Sequence, residues 1–244
     1  MQCRIKSFLI VILLAAVPGC VWESGAAKPS PSPIPAAPLP AEGERIEKPI
    51  NVSFSTYSLD WPVGWLWIDP DERNVRTPHN VKKSVLSLTV PTGKDLAGEY
   101  RNAPRYLKAV TGDFEIETRV SALPKENFQA AGLLIYCNED NYIRLERSFA
   151  GPDGGEGVSL RVRRGEAVEQ LALADAHAHL TDLKLSRHGS TFSAYLRNSE
   201  VDQWLRVGEL AANFSPTVLI GLAAYNTAEP FTAEFAYIKL VPVK

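Results

Sequence analysis

Cysteine is scarce in this chain. Three occur in 244 residues, at positions 3, 20 and 137. Cys3 and Cys20 fall in an N-terminal segment read below as processed, which leaves Cys137 alone in the folded part. A lone cysteine closes no disulfide, so the fold must hold through its core. Cys137 has no histidine near it in sequence to make it a nucleophile, and its expected place is that of a small buried hydrophobe at a strand end. Strong charge is missing as well: 26 Lys and Arg face 28 Asp and Glu, a formal net charge of −2. Such a balance supplies no electrostatic reason to bind nucleic acid. No convincing amphipathic helix is legible from residue 50 to residue 244. The glycines of 151–157 lie between strand-like runs with no helix to follow, so they read as a hairpin loop and not as a phosphate cradle. No Ser, His and Asp stand in the order and context of a nucleophile elbow. No cofactor pattern is present, and no cofactor is expected.

One long apolar run is there, at residues 8–17, preceded by Arg4 and Lys6. A basic start, a short apolar run and a small-residue end make a secretory signal. It closes on Val17, Pro18, Gly19 and Cys20, which resembles the bacterial lipobox. That resemblance implies cleavage after residue 19 and a lipid-modified Cys20 as the first mature residue. Taking residues 1–19 away removes Arg4 and Lys6 and no acid, which moves the net charge from −2 to −4. Residues 20–49 then read as the lipidated cysteine and a tether. Pro29, Pro31, Pro33, Pro35, Pro38 and Pro40 alternate with small residues, a pattern that buries no core and stays extended. The expected arrangement is a cell-envelope protein, held to a bacterial membrane by an N-terminal lipid and facing away from the cytoplasm.

Residues 50–244 read as a single all-β domain. Phe114, Ile116, Thr118 and Val120 alternate with Glu115, Glu117 and Arg119. Val158, Leu160 and Val162 alternate with Ser159, Arg161 and Arg163. Period-2 patterning of this kind marks strands with one face on a core. Leu133, Leu134, Ile135 and Tyr136 are apolar on both faces, as in a strand covered on both sides. The polar cluster Asn138, Glu139, Asp140 and Asn141 marks a hairpin turn. After it, Ile143, Leu145 and Phe149 are expected toward the core, with Tyr142, Arg144 and Glu146 on the other face. The phase of the last strand slips near Phe235, Ala236 and Tyr237, which predicts a bulge. Residues 171–180, rich in alanine, are expected to be a loop. About a dozen short strands with regular turns predict a two-sheet sandwich or a barrel.

The motifs GWLWIDP at 64–70, NAPRYL at 102–107, TGDFEIETRV at 111–120, AGLLIYCNEDNYIRLER at 131–147, IGLAAYN at 220–226 and FTAEFAYIKL at 231–240 carry a resemblance. In that order they look like the concanavalin A-like lectin/glucanase superfamily. Within it the chain is similar to the bacterial family of unknown function that includes regulation-of-enolase-type proteins, and to the non-catalytic C-terminal module of some family 43 glycosidases. The resemblance spans roughly residues 50–242. It implies an antiparallel jelly-roll sandwich with a convex and a concave sheet. Where relatives have a role, it implies carbohydrate recognition.

Several constellations offer chemistry. Glu115 and Glu117 sit two apart on one strand face, about 7 Å apart along the backbone, a spacing admissible for a retaining glycosidase. The glucanases of the superfamily carry a third acid in this strand, and here Arg119 stands in its place. Asp175, His177 and His179 would share a face if extended, but no fourth metal ligand is evident, and no metal site is expected. Tyr142, Arg144 and Glu146 put a ring, a guanidinium and a carboxylate in a row on one strand, with Arg161 on a neighbouring one. Flat rings suit the apolar faces of sugars, and Arg and Glu satisfy hydroxyls. Trp67 is a candidate stacking platform, with Trp65 and Trp67 open to both a core and a ligand reading. The expected ligand set is therefore Trp67, Tyr142, Arg144, Glu146 and Arg161, for a glycan partner without catalysis. Two rivals stand beside it: a glycoside hydrolase or lyase using Glu115, Glu117 or Glu146, and a protein-binding scaffold.

Overall fold

In the computed structural model, residues 42–54, 62–70, 77–97, 101–149, 155–176, 178–226 and 229–243 are described. They contain sixteen strands and no helix. In chain order these are β1 (Glu44–Arg45), β2 (Ile50–Ser53), β3 (Trp65–Ile68), β4 (His79–Lys82), β5 (Val85–Val90), β6 (Arg105–Thr111), β7 (Phe114–Ala122), β8 (Ala130–Asn138), β9 (Asn141–Phe149), β10 (Glu156–Arg164), β11 (Ala167–Asp175), β12 (Leu180–His188), β13 (Thr191–Arg197), β14 (Leu205–Ala211), β15 (Thr217–Tyr225) and β16 (Phe231–Pro242). The first eight-stranded sheet runs β1-β6-β15-β8-β9-β10-β11, with β3 also paired to β6. The second runs β14-β13-β12-β7-β16-β5-β4, with β2 also paired to β16. All pairs are antiparallel except β1 with β6. The result is a two-sheet sandwich, one of the two architectures that the strand pattern predicts, and of the jelly-roll type that the resemblance implies.

The core lies between the sheets. Leu133, Ile135, Ile143, Leu145 and Leu160 come from the first sheet, and Phe114, Ile116, Leu183, Leu185 and Phe192 from the second; all are fully or almost fully buried. Leu145 stands directly opposite Leu133 on one side and Leu160 on the other. The first sheet is covered on its outer face too. Leu107, Leu134, Tyr136, Tyr142, Leu219 and Tyr225 form a second apolar cluster beneath Leu96 and Ala103. This explains why residues 133–136 are apolar without alternation. The cover is pinned in place: the Lys94 and Asn226 backbones exchange bonds of 2.8 and 2.7 Å, and the Tyr142 hydroxyl donates to the Leu96 carbonyl at 3.2 Å. Lys94 itself is fully buried and pairs with Asp69 at 2.8 Å. Asp69 also accepts from the Thr77 amide at 2.7 Å, so the buried charge is hydrogen-bonded as well as paired.

The turn at Asn138 forms as expected, with the Asp140 amide donating to Asn138 Oδ1 at 3.0 Å. The β16 register shifts between Phe235 and Ile238 where the phase slip lies. Other expectations are corrected. Residues 171–175 continue β11 and β12 begins at Leu180, so most of the expected loop is strand. The edge position of β11 leaves it largely exposed, which is why its sequence lacks a clear apolar face. Glu44 and Arg45 pair with β6, and Ile46 is buried in the core at 5 % exposure, so the sandwich includes residues that composition assigned to the tether. Cys137 is only partly buried. On β9 the core face carries Arg147, fully buried, where a hydrophobe would continue the pattern. Its guanidinium donates to the Ala122 carbonyl at 3.1 Å, to Thr181 Oγ1 at 2.8 Å and to the Ala178 carbonyl, and faces Glu156 at 3.5 Å. Burial lowers its pKa, and Glu156 opposes that. Phe149, expected toward the core, stands at the strand end, where it helps to line a pocket on the outer side of the sheet.

Candidate functional site

Side chains two apart on a strand share a face, so β9 and β10 carry Arg144, Glu146, Ser148, Ser159, Arg161 and Arg163 onto the outer face of the first sheet. A pocket of about 630 Å³ opens there. This volume falls within the roughly 300–1,000 Å³ of small-ligand sites. Arg144, Arg161, Ser148 and Tyr225 line it from the sheet, Asp95 and Ala97 from the cover, and Asn127, Phe128 and Gln129 from the segment between β7 and β8. Val168 and Gln170 of β11 and Glu166 close the remaining side.

The floor is an ionic and aromatic network. The Tyr225 hydroxyl donates to Glu146 Oε1 at 2.5 Å, and Ser159 Oγ donates to the same oxygen at 3.4 Å. Arg144 lies 3.8 Å from Glu146 Oε2, with its guanidinium carbon 4.8 Å from the Tyr225 ring centre and 5.5 Å from that of Tyr142. Burial alone would lower the Arg144 pKa, but Glu146, Tyr225 and Tyr142 together outweigh it and hold the guanidinium charged. Burial pushes the Tyr225 phenol far up, against the pull of Arg144 and with the help of Glu146. Arg144 is only 4 % exposed, and its guanidinium makes no hydrogen bond to any described residue; its Nε is buried without a partner. Arg161 is more committed, donating to Ser159 Oγ at 3.3 Å and to Gln170 Oε1 at 2.8 Å. Arg163 is spent on the carbonyls of Gly165 and Ala97, at 2.8 Å each, and fixes the cover to the sheet.

The rim is different in kind. Phe128 has a φ of 66° and is 62 % exposed. A bulky residue in the left-handed region is rare and costs roughly 1–3 kcal/mol. Neighbouring Gln129 holds this loop shape. Its Oε1 accepts from the Lys125 amide at 2.8 Å, and its Nε2 donates to the Glu229 carbonyl at 2.8 Å. The strained backbone thus presents a flat ring to solvent at the pocket mouth.

Of the expected ligand set, Arg144 and Arg161 line the pocket. Glu146 is buried beneath it, and Tyr142 is fully buried under the cover. Trp67 is elsewhere. It packs against the inter-sheet core beside His79, with ring centres 4.6 Å apart, because β3 extends the far edge of the sheet beyond β6. Trp65 is core, stacked on Tyr106 at 4.8 Å. Sequence reasoning missed Phe128, Ser148, Val168, Gln170 and Tyr225. The legible trace of Phe128 is a lone aromatic in an otherwise polar turn. The pairing that brings Gln170 beside Arg161 requires the β11 register.

Glu115 and Glu117 lie on the outer face of the second sheet, where they meet Lys184 at 3.9 Å and Lys239 at 3.5 Å. They and Glu146 therefore project from different sheets and do not share a site. Asp175 ends β11, His179 precedes β12 and His177 lies outside the described residues. Among the described residues no group of three or more His, Cys, Asp or Glu is gathered for a metal.

No curated protein matches this chain. Solved structures do. A functionally unknown protein from Saccharomyces cerevisiae superposes with a TM-score of 0.61 at 12 % identity, over 74 % of this chain and 98 % of its own. The GH43 protein BlXynB from Bacillus licheniformis gives 0.64 at 14 % identity, over 79 % of this chain and 39 % of its own. The Bacteroides ovatus xyloglucan PUL GH43B protein gives 0.66 at 16 % identity, over 81 % and 40 %. The chain thus spans about two-fifths of the GH43 proteins named here, and the shared part is the two-sheet sandwich. The model of the protein family of unknown function DUF1349 matches residues 77–243, from β4 through β16, and the chain belongs to that family.

Proposed function

We propose that this protein is a lipid-anchored carbohydrate-binding module of the bacterial cell envelope, one that holds a glycan without cleaving it. The observation that carries the reading is the pocket, in which the exposed Phe128 ring stands over a floor offering Arg144 and Arg161. A ring supplies dispersion to sugar C–H surfaces, and guanidinium groups donate to ring and hydroxyl oxygens. Likeness in fold to part of several GH43 proteins, one of them named for xyloglucan, and to part of a xylan β-1,4-xylosidase from Bacillus halodurans supports a carbohydrate ligand. The absence of a third acid in Glu115, Glu117 and Arg119 supports binding over hydrolysis. The signal, Gly19 with Cys20 and the proline-rich tether support the anchor.

The test is a glycan array probed with the full chain, followed by titration calorimetry on each hit. Retention of a saccharide that weakens about tenfold or more in Arg161→Ala fits the reading, since 1.4 kcal/mol is a factor of ten. Retention of no saccharide overturns it. Turnover of polysaccharides or chromogenic glycosides that disappears in Glu115→Gln, Glu117→Gln or Glu146→Gln establishes a hydrolase instead.

A further inference from the structure

Arg144 is the anomaly of the pocket floor. A buried guanidinium usually spends its five N–H donors on neighbours, because each buried donor left unpaired costs about 1–3 kcal/mol. Arg163, on β10, donates to two carbonyls, and Arg147, on β9, donates to two carbonyls and a hydroxyl while its Nη2 faces Glu156 at 3.5 Å. The Arg144 guanidinium has the carboxylate of Glu146 at 3.8 Å and two aromatic faces, and no hydrogen bond to any described residue. Glu146 is not free to turn toward it, since its Oε1 accepts from Tyr225 and Ser159. Arg144 Nε stands 3.8 Å from the other carboxylate oxygen, Oε2, beyond hydrogen-bond range. The floor is therefore rich in donors and poor in acceptors. Arg161 adds to the excess, with its Nη1 bonded to no described residue. Of the acids that also line the cavity, Asp95 helps to hold Arg144 charged, yet neither Asp95 nor Glu166 hydrogen-bonds the Arg144 guanidinium. Asp95 Oδ1 accepts from the Ala97 amide at 2.9 Å, and Glu166 is exposed.

A sugar hydroxyl both donates and accepts, so it leaves a donor of its own to satisfy. A carboxylate only accepts, and its two oxygens match the planar fork of a guanidinium. Resting on the carbohydrate-binding reading, we infer that the pocket selects an acidic saccharide, a uronate unit whose carboxylate is received by Arg144 while its ring lies against Phe128. Glu146 and Tyr225 then serve as positioning residues that keep Arg144 charged and aimed.

The first comparison that tests this uses the wild-type chain. Short oligomers of galacturonate, glucuronate and mannuronate are titrated into the full chain, each as the free acid, as its methyl ester and as the corresponding neutral oligosaccharide. The expected result is that at least one free acid binds roughly tenfold or more tighter than its ester, a preference worth about 1.4 kcal/mol. In Arg144→Gln, verified as folded by circular dichroism, that preference falls to near unity. Equal affinity for acid and ester, or binding confined to neutral oligosaccharides, overturns the uronate assignment and leaves the carbohydrate-binding reading intact. Failure of every saccharide on the array overturns both.

Discussion

Tyr225 on β15 and Glu146 on β9 are joined by a 2.5 Å hydrogen bond across the whole width of β8, which lies between their strands. The reach is possible because β8 presents Ala130 and Gly132 to that face, opposite Tyr225 and Glu146 respectively. A Cβ at position 132 would stand 2.2 Å from the Leu145 carbonyl oxygen and 2.6 Å from Glu146 Cα. Both are backbone atoms and cannot step aside cheaply.

Gly132→Ala is therefore expected to destabilise the fold by about 1–3 kcal/mol, the usual cost of overpacking. It should also loosen Arg144 by displacing Glu146. Chemical denaturation reads the first effect and ligand titration the second. A variant as stable as the parent would mean that the strands part easily at this point.

Leu145→Ala is expected to cost about 2–5 kcal/mol, as truncations of fully buried leucines do. Leu145 has no exposed surface and packs between Leu133 and Leu160. A urea midpoint shift equivalent to less than about 0.5 kcal/mol, the surface value, would contradict the strand phase described here.

Phe128→Gly should separate binding from stability. Glycine accepts the φ of 66° without the steric penalty that phenylalanine carries there. The variant should melt no lower than the parent by more than about 0.5 kcal/mol, and yet retain glycan poorly. Lost stability with unchanged retention would make Phe128 a packing residue and remove it from the site.

Alkaline pH is expected to weaken the fold. Tyr106, Tyr136, Tyr142, Tyr225 and Tyr237 are all held above the ordinary tyrosine value, primarily by burial, with Tyr237 pushed up to about 12. The folded state keeps protons that the unfolded chain surrenders near pH 10. Their stabilising effect is thus intact below about pH 10 and is lost as pH climbs through the folded values. Absorbance after a rapid jump to high pH should show at least these five of the eight tyrosines ionising only as the protein unfolds. Immediate ionisation of all eight would refute the burial described.

Cys20→Ser should move the protein from the membrane fraction to the soluble fraction, and the wild-type intact mass should carry an acyl adduct. A wild-type protein without that adduct would end the anchoring proposal.

The outlines of the sandwich were legible because burial is periodic. Phe114, Ile116 and Val120, or Val158, Leu160 and Val162, declare their face by spacing alone. Arg147 was not legible, since a charge on a core face makes sense only once the Ala122 and Ala178 carbonyls and Thr181 are seen around it. The row Tyr142, Arg144 and Glu146 was correctly placed on the face opposite the core, yet its depth was hidden. The cover at Leu96 is brought over it by contacts 46 residues away in sequence. Trp67 lies partly buried against the inter-sheet core, away from the pocket, for a related reason: two tryptophans sharing a face say nothing about which face that is. Phe128 was missed because backbone strain leaves no periodic trace.

The second apolar cluster beneath the cover has a consequence for how this protein diversifies. Tyr225 belongs at once to the pocket floor and to the packing of the outer face, and Arg144 of that floor lies against the rings of Tyr225 and Tyr142. If the pocket binds as proposed, changes there should alter specificity and foldedness together, and few should be tolerated. Phe128, Val168 and Gln170 sit at the mouth and hold little of the core in place. Drift among homologues, and any laboratory retargeting, should therefore accumulate at the mouth while the floor stays still, so that one constant anchoring chemistry comes to serve many different ligand chains.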